Sequence, residues 1–317
     1  MKFGLGTFSR GAAAPFPGLL LGDRVVRLGG FGSVLAILAS WDRNFAELCR
    51  LAETHRAAES VDVRELRVHA PLEMPRQIFC TIANYRSHIL DTVRDPALRL
   101  RLGEPDTPEC HARAAQAIAQ RLRSPPYVCL KLPSTVIGPD EPLTLPGEAQ
   151  RLDWELELAV IVGRAGRRIP RTEAMSYVAG YTLANDITAR DLVVRPDLPR
   201  LGSDWLQSKN APGFLPLGPY IIPAAFIPDP YALRLTFRLN GEVMQDELVD
   251  DMLFDIATQI EYISKYAQLL PGDVICTGTP AGCGFRYQRF LKQGDVMEGS
   301  APGLGVLRTS CAGEAST

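Results

Sequence analysis

Three acidic side chains in the stretch from Asp153 to Asp191 could do chemistry together. Glu155 and Glu157 lie two residues apart inside an apolar run made of Trp154, Leu156, Leu158, Val160, Ile161 and Val162. Residues i and i+2 of a strand point to one face, so the two carboxylates would share a small volume and repel unless a cation compensates them. Asp186 closes a second apolar run, Tyr177 to Ala184, and with Asn185 before it can turn back toward that face. Three carboxylates without His or Cys form a hard-oxygen site. Mg²⁺ or Mn²⁺ is the expected ion, Ca²⁺ a possible substitute, with positions left for water and an oxygen-bearing substrate. Spacing alone leaves another arrangement open, in which the glutamates line the wet side of an edge strand and Asp186 begins a turn.

Other side chains offer acid–base and anion-binding chemistry. His88 and Asp91 sit three apart, on one face of a helix, where a carboxylate can orient an imidazole that acts as a general base on water; an incidental helix-start pair is the alternative. Lys131 beside a turn could face an enolate or a carboxylate, or stand at a strand edge. Arg190, four residues after Asp186, suits a substrate carboxylate, or a structural pair with Asp191 or Glu157. The Gly-rich loop holding Thr277, Gly278 and Thr279 presents N–H groups and hydroxyls that can hold a carboxylate, and lacks the lysine and spacing of a phosphate loop.

Four segments, DWELELAVIVGR, YTLANDITARD, LNGEVMQ and PGDVICTGTPAGCG, together resemble the fumarylacetoacetate hydrolase family in its bacterial form, over roughly residues 72 to 308. That resemblance implies a mixed α+β, mainly β fold with a β-sandwich or β-roll core. It also implies a divalent metal on Glu155, Glu157 and Asp186, and chemistry on 2-keto acids. It places Tyr85, Arg190, Gly278 and Thr279 at the substrate and Lys209 beside Lys131 in the catalytic set. The segment from Asn84 matches the family's N-Y-x-x-H-x-x-E, so His88 is the expected base, with Asp91 standing where the longer Glu is usual. Val193, Pro212 and Gly213 replace polar residues of many members, which implies a substrate less polar at one end.

The elements that must position these groups follow from pattern. A chain of 317 residues can bury a sizeable core. Residues 1–70 read as a small α+β unit: a hairpin around Gly22-Asp23, then helical spacing from Leu35 to Leu51. Residues 72–317 form the expected catalytic unit, with an insert at 92–126 read as two helices, a lid or a partner-binding pair. Within it Glu104, Glu109 and His111 could reach the site. Net charge −2 gives no sign of a nucleic-acid or membrane partner. Seven cysteines without a CxxC pair point to free thiols, and with no long apolar run, to the cytoplasm. A homodimer is expected.

The function expected from the sequence is a Mg²⁺- or Mn²⁺-dependent hydrolase cleaving a C–C bond of a 2,4-diketo acid, from aromatic or sugar-acid breakdown. An isomerase or decarboxylase of a 2-oxo acid is the alternative. A C–C-forming synthase and a non-catalytic metal scaffold are more remote.

Overall fold

The computed structural model describes residues 1–55, 60–94, 108–198 and 202–314. The architecture is mixed α/β and mainly strand, in line with the sequence. A twelve-stranded sheet runs in the order Ser60–Asp62, Arg24–Arg27, Phe16–Leu21, Gly4–Ser9, Leu215–Pro223, Val178–Asn185, Leu156–Val162, Val274–Cys276, Ile78–Thr81, Val128–Lys131. Arg67–His69 and Val136–Ile137 pair off this path. A five-stranded sheet, Glu242–Leu248, Arg234–Leu239, Val296–Ala301, Gly305–Gly313 and Leu143–Leu145, covers one of its faces.

The strand Leu156–Val162 is buried along its whole length because both of its faces are covered. Its even-numbered residues Leu156, Leu158, Val160 and Val162 share a core with Leu235, Phe237, Met297 and Leu307 of the smaller sheet. Its odd-numbered residues Ala159 and Ile161 share a second core with Leu5, Ile37, Leu38 and Leu48 of the first seventy residues. The alternation of a strand thus needs two covers, and the helices Val34–Leu38 and Trp41–Thr54 supply one of them. The N-terminal segment has the expected hairpin and helices, and it joins the larger sheet edge to edge, with Leu5 paired to Ile221.

The helix Arg86–Arg94 leaves the strand Ile78–Thr81 and packs against Pro108–Arg121. The second helix expected in the 92–126 insert is thereby present. The first falls on 95–107, which lies outside the described residues together with Glu104; the side chains of Glu109 and His111 do too. Cys49, Cys80, Cys129, Cys276, Cys283 and Cys311 are free thiols. No helix among the described residues is long and apolar enough to cross a membrane.

Trp154 ties the two sheets together next to the acidic stretch. It is fully buried, stacks on Phe237 with ring centres 5.4 Å apart, and donates its indole N–H to the Gly282 carbonyl at 3.0 Å. Trp154→Ala should therefore destabilise the fold by about 3–5 kcal/mol in denaturant unfolding. A loss below about 1 kcal/mol would mean that the sandwich does not depend on this contact.

Candidate metal centre

Backbone register brings the carboxylates together. Leu156–Val162 and Val178–Asn185 pair antiparallel, with Leu156 opposite Asn185 and Glu157 opposite Ala184. One step further sets Glu155 against Asp186, and the Asp186 N–H donates to the Glu155 carbonyl at 2.9 Å. The Glu155 N–H in turn donates to Asn185 Oδ1 at 2.9 Å, which fixes the turn after the strand. Glu157 follows two residues on, on the same face as Glu155. One carboxylate oxygen from each of Glu155, Glu157 and Asp186 lies within 4.8 Å of the other two, and all three residues are buried.

Three cations meet this cluster. Lys209, at the end of a helix Trp205–Lys209 capped by Asp204, reaches Glu155 Oε2 at 2.8 Å, Asp186 Oδ2 at 2.5 Å and Thr188 Oγ1 at 2.8 Å. Lys131 pairs with Asp186 and donates to the Ile187 carbonyl at 3.1 Å. Arg190 binds Asp153 at 2.8 Å and Glu155 at 2.5 Å, its guanidinium lying over the Phe285 ring. Neither partner proposed for Arg190 is used: Asp191 accepts instead from the Gln150 and Arg151 N–H groups. Lys131 and Arg190, expected to face substrate, are both held on the protein's own carboxylates.

Glu157 stands apart from these pairs. Among the described residues it forms no ion pair, and it accepts from the Gly278 N–H at 2.6 Å. Burial, with Asp186 and Glu155 beside it, pushes its carboxyl well above the usual range. Burial would also raise Glu155, but the Arg190 and Lys209 charges outweigh it and hold that carboxyl low. Four buried carboxylates, Asp153 included, thus face three cations, and the deficit falls on Glu157. A buried charge without a partner is costly. An all-oxygen donor set with one negative charge in excess fits Mg²⁺ or Mn²⁺, and the residues that would hold it are Glu155, Glu157 and Asp186.

His88 is buried beside this cluster, edge-on to Phe285 with ring centres 5.6 Å apart and Nδ1 3.7 Å from Cys283 Sγ. Burial lowers its pKa to about 4; Glu155 works against this and Arg190 reinforces it. The imidazole is neutral at pH 7. Asp91 acts on it through charge, raising the ring's pKa against burial, but among the described residues forms no hydrogen bond to it. Its carboxylate accepts from the Gly282 N–H at 2.9 Å and pairs with Arg286, so the loop after Thr279 captures this short side chain before it reaches the ring.

That loop also differs from its expected role. The Thr279 hydroxyl donates to the Leu156 carbonyl at 2.9 Å and accepts from Gln245 at 2.9 Å, while Thr277 donates to the Leu158 carbonyl at 2.8 Å. The Gly278 N–H is on Glu157. Donors expected to hold a substrate carboxylate are thus engaged within the protein, because the loop crosses the start of the strand Leu156–Val162 and must satisfy its open carbonyls. Gly278 is required there: its φ is +97°, and a Cβ would lie 2.7 Å from Asn84 Cβ. Tyr85 is fully buried, with burial and then Glu157 raising its hydroxyl pKa. Pro212 is exposed and Gly213 turns the chain with φ +83°.

Asp153, Thr188, Cys283 and Phe285 complete the cluster without having been singled out in sequence. Asp153 opens the DWELEL run and accepts from the Gly284 and Phe285 N–H groups at 2.5 and 3.3 Å, so its carboxylate ties loop to strand. Cys283 lies in PAGCGF, where only its position after the Gly-rich turn marks it.

The sequence model of the fumarylacetoacetate (FAA) hydrolase C-terminal domain matches residues 77–312. The mitochondrial oxaloacetate tautomerase FAHD2B of Homo sapiens is 41% identical over 184 residues, 57% of each chain. The mitochondrial oxaloacetate tautomerase Fahd2a of Rattus norvegicus is 34% identical over 242 residues, 75% of this chain and 67% of that one. The chain thus spans little more than half the length of the human relative in that alignment. The solved fumarylacetoacetate hydrolase of Exiguobacterium antarcticum superposes with TM-score 0.74 at 26% identity, covering 98% of this chain and 100% of that one. The chain belongs to the fumarylacetoacetate hydrolase family.

The buried setting of His88 gives a direct expectation. A histidine with an ordinary pKa of 6.5 gains its proton between pH 7.5 and 5.5; one lowered to about 4 stays neutral through that window. The ring resonances of His88 should not move on titration from pH 8 to 5.5 in metal-free protein. A midpoint near 6.5 would contradict the buried site.

Proposed function

We propose that this member of the fumarylacetoacetate hydrolase family interconverts the keto and enol forms of a small 2-oxo dicarboxylic acid of the oxaloacetate kind, with Mg²⁺ or Mn²⁺ on Glu155, Glu157 and Asp186. The observation that carries this reading is a neutral, buried imidazole set beside three convergent carboxylates and, among the described residues, without a hydrogen-bonded acid. Such a base can take a proton from an acidified carbon and give it back, and needs no charge relay to do so. The two tautomerases at 41% and 34% identity support it.

The divalent ion, when bound, supplies a Lewis acid that polarises the 2-oxo group and lowers the pKa of the adjacent carbon. The chain's own residues do the rest. His88 holds the moving proton at its ring nitrogen. Lys209, bound to both Glu155 and Asp186, sets the separation of the two carboxylates, and Arg190 holds Oε1 of Glu155. Phe285 lies under the Arg190 guanidinium, and Trp154 anchors the Gly282 carbonyl in the loop that carries Cys283.

Cleavage of a C–C bond in a 2,4-diketo acid is the second reading. It is supported by the full-length similarity to the E. antarcticum hydrolase, and His88 would then take its proton from water. Decay of the oxaloacetate enol absorbance, followed with and without Mg²⁺ or Mn²⁺ while products are identified by NMR, separates the two. Tautomerisation predicts faster enol decay with no pyruvate formed. It also predicts loss of that acceleration in Asp186→Ala and a drop of roughly 10²–10⁴-fold in His88→Ala. Cleavage of acylpyruvates at a rate exceeding oxaloacetate turnover would establish the hydrolase instead.

A further inference from the structure

We propose that Cys283 holds His88 in the tautomer that carries its proton on Nδ1, leaving Nε2 bare as the base. Cys283 is thus a positioning residue, and its sulfur takes the place that the sequence assigned to Asp91. The inference rests on the reading of His88 as the base given above.

The hydrogen-bond inventory around the sulfur decides the matter. Cys283 Sγ lies 3.7 Å from His88 Nδ1, 3.9 Å from the Pro280 carbonyl and 3.9 Å from Gln245 Nε2, and Cys283, His88 and Gln245 are all buried. The Gln245 amide has nearer acceptors, Thr279 Oγ1 at 2.9 Å and the Pro280 carbonyl at 3.1 Å, so its two hydrogens go there. A carbonyl only accepts, and a thiol has one hydrogen to give. With that hydrogen on Pro280, the sulfur presents lone pairs to Nδ1, and the contact is complete when Nδ1 carries the ring proton. In the reverse arrangement the thiol donates to Nδ1, its contact with the Pro280 carbonyl is lost, and the ring proton sits on Nε2, the nitrogen that the base needs bare.

Among the described residues no other side chain hydrogen-bonds the ring. Asp91 is bound to Gly282 and Arg286, and Phe285 packs edge-to-face on the ring at an interplanar angle of 82°. Burial, with Asp153 nearby, keeps the thiol in its protonated form and able to donate to Pro280. A thiol partner also adds no charge to the imidazole, unlike a carboxylate. The base therefore stays neutral in its dry surroundings.

Long-range ¹H–¹⁵N correlation of histidine-labelled, metal-free protein reads the tautomer directly, with His88 assigned by its absence in His88→Ala. Wild type should show a protonated Nδ1 and a bare Nε2. Cys283→Val should shift His88 toward the Nε2-protonated form and lower kcat about 10–100-fold, the usual cost of removing a partner that orients a functional histidine, with KM little changed. Cys283→Ser, which keeps a donor and an acceptor, should retain the Nδ1–H tautomer and most of the rate. A wild-type spectrum with the proton on Nε2 overturns the proposal, as does an unchanged tautomer in Cys283→Val. If the valine variant does not fold, the wild-type spectrum decides alone. The spectrum requires no substrate, so inactivity toward oxaloacetate would defeat the proposed function and leave this inference standing.

Discussion

The constraint on which the rest depends is a buried charge deficit. Asp153, Glu155, Glu157 and Asp186 are taken out of water together, and Lys131, Lys209 and Arg190 offset three of the four. Ion pairs in such a setting recover their desolvation cost only with good geometry and further hydrogen bonds. The fold supplies these around Glu155 and Asp186, through Asn185, Thr188 and the Ile187 carbonyl. Around Glu157, among the described residues, it supplies one backbone N–H. A further cation held by Glu155, Glu157 and Asp186 would offset that imbalance.

Holding that imbalance takes a stiff frame, and the frame explains why the carboxylates sit where they do. They stand at the end of two central strands whose other inward positions are filled by Ala159, Ile161 and Ala184. Antiparallel register puts Glu155 against Asp186 with no choice of side chain involved. A slip of one residue would turn every one of these groups to the opposite face, into the sandwich core. The N-terminal helices cover the carboxylate-bearing face and so raise the cost of such a slip. Dry walls around the site also strengthen every interaction inside it.

Much of this was legible in the residues. The E-x-E run with Asp186 announced the carboxylate cluster, because strand alternation is a local rule that needs no tertiary information. The hairpin at Gly22-Asp23 and the helices after Ser33 were legible from turn and helical patterns, which are equally local, while the mainly β class came from the family resemblance. Partners were less so. Spacing put Asp91 under His88, yet the carboxylate follows the Gly282 N–H and Arg286, groups almost two hundred residues away in the chain. Lys131, Arg190, Gly278 and Thr279 were read as facing a ligand, and their polar atoms are engaged by Asp186, Asp153, Glu155, Glu157 and the Leu156 carbonyl. A one-dimensional pattern says which groups are polar. Which of several polar groups wins a donor depends on how the loop and the strand end meet in space.

The account turns on Glu157 being a buried carboxylate that waits for a metal ion. Its most direct test is the Mn²⁺-dependent shift in Tm of wild type beside Glu157→Gln. An ion that binds only the folded state raises Tm according to its affinity. Wild type should therefore rise with Mn²⁺. The glutamine variant, with the excess charge removed, should start from a higher Tm without metal and respond little. Equal metal-induced shifts in the two proteins, or a glutamine variant less stable than wild type without metal, would contradict the account.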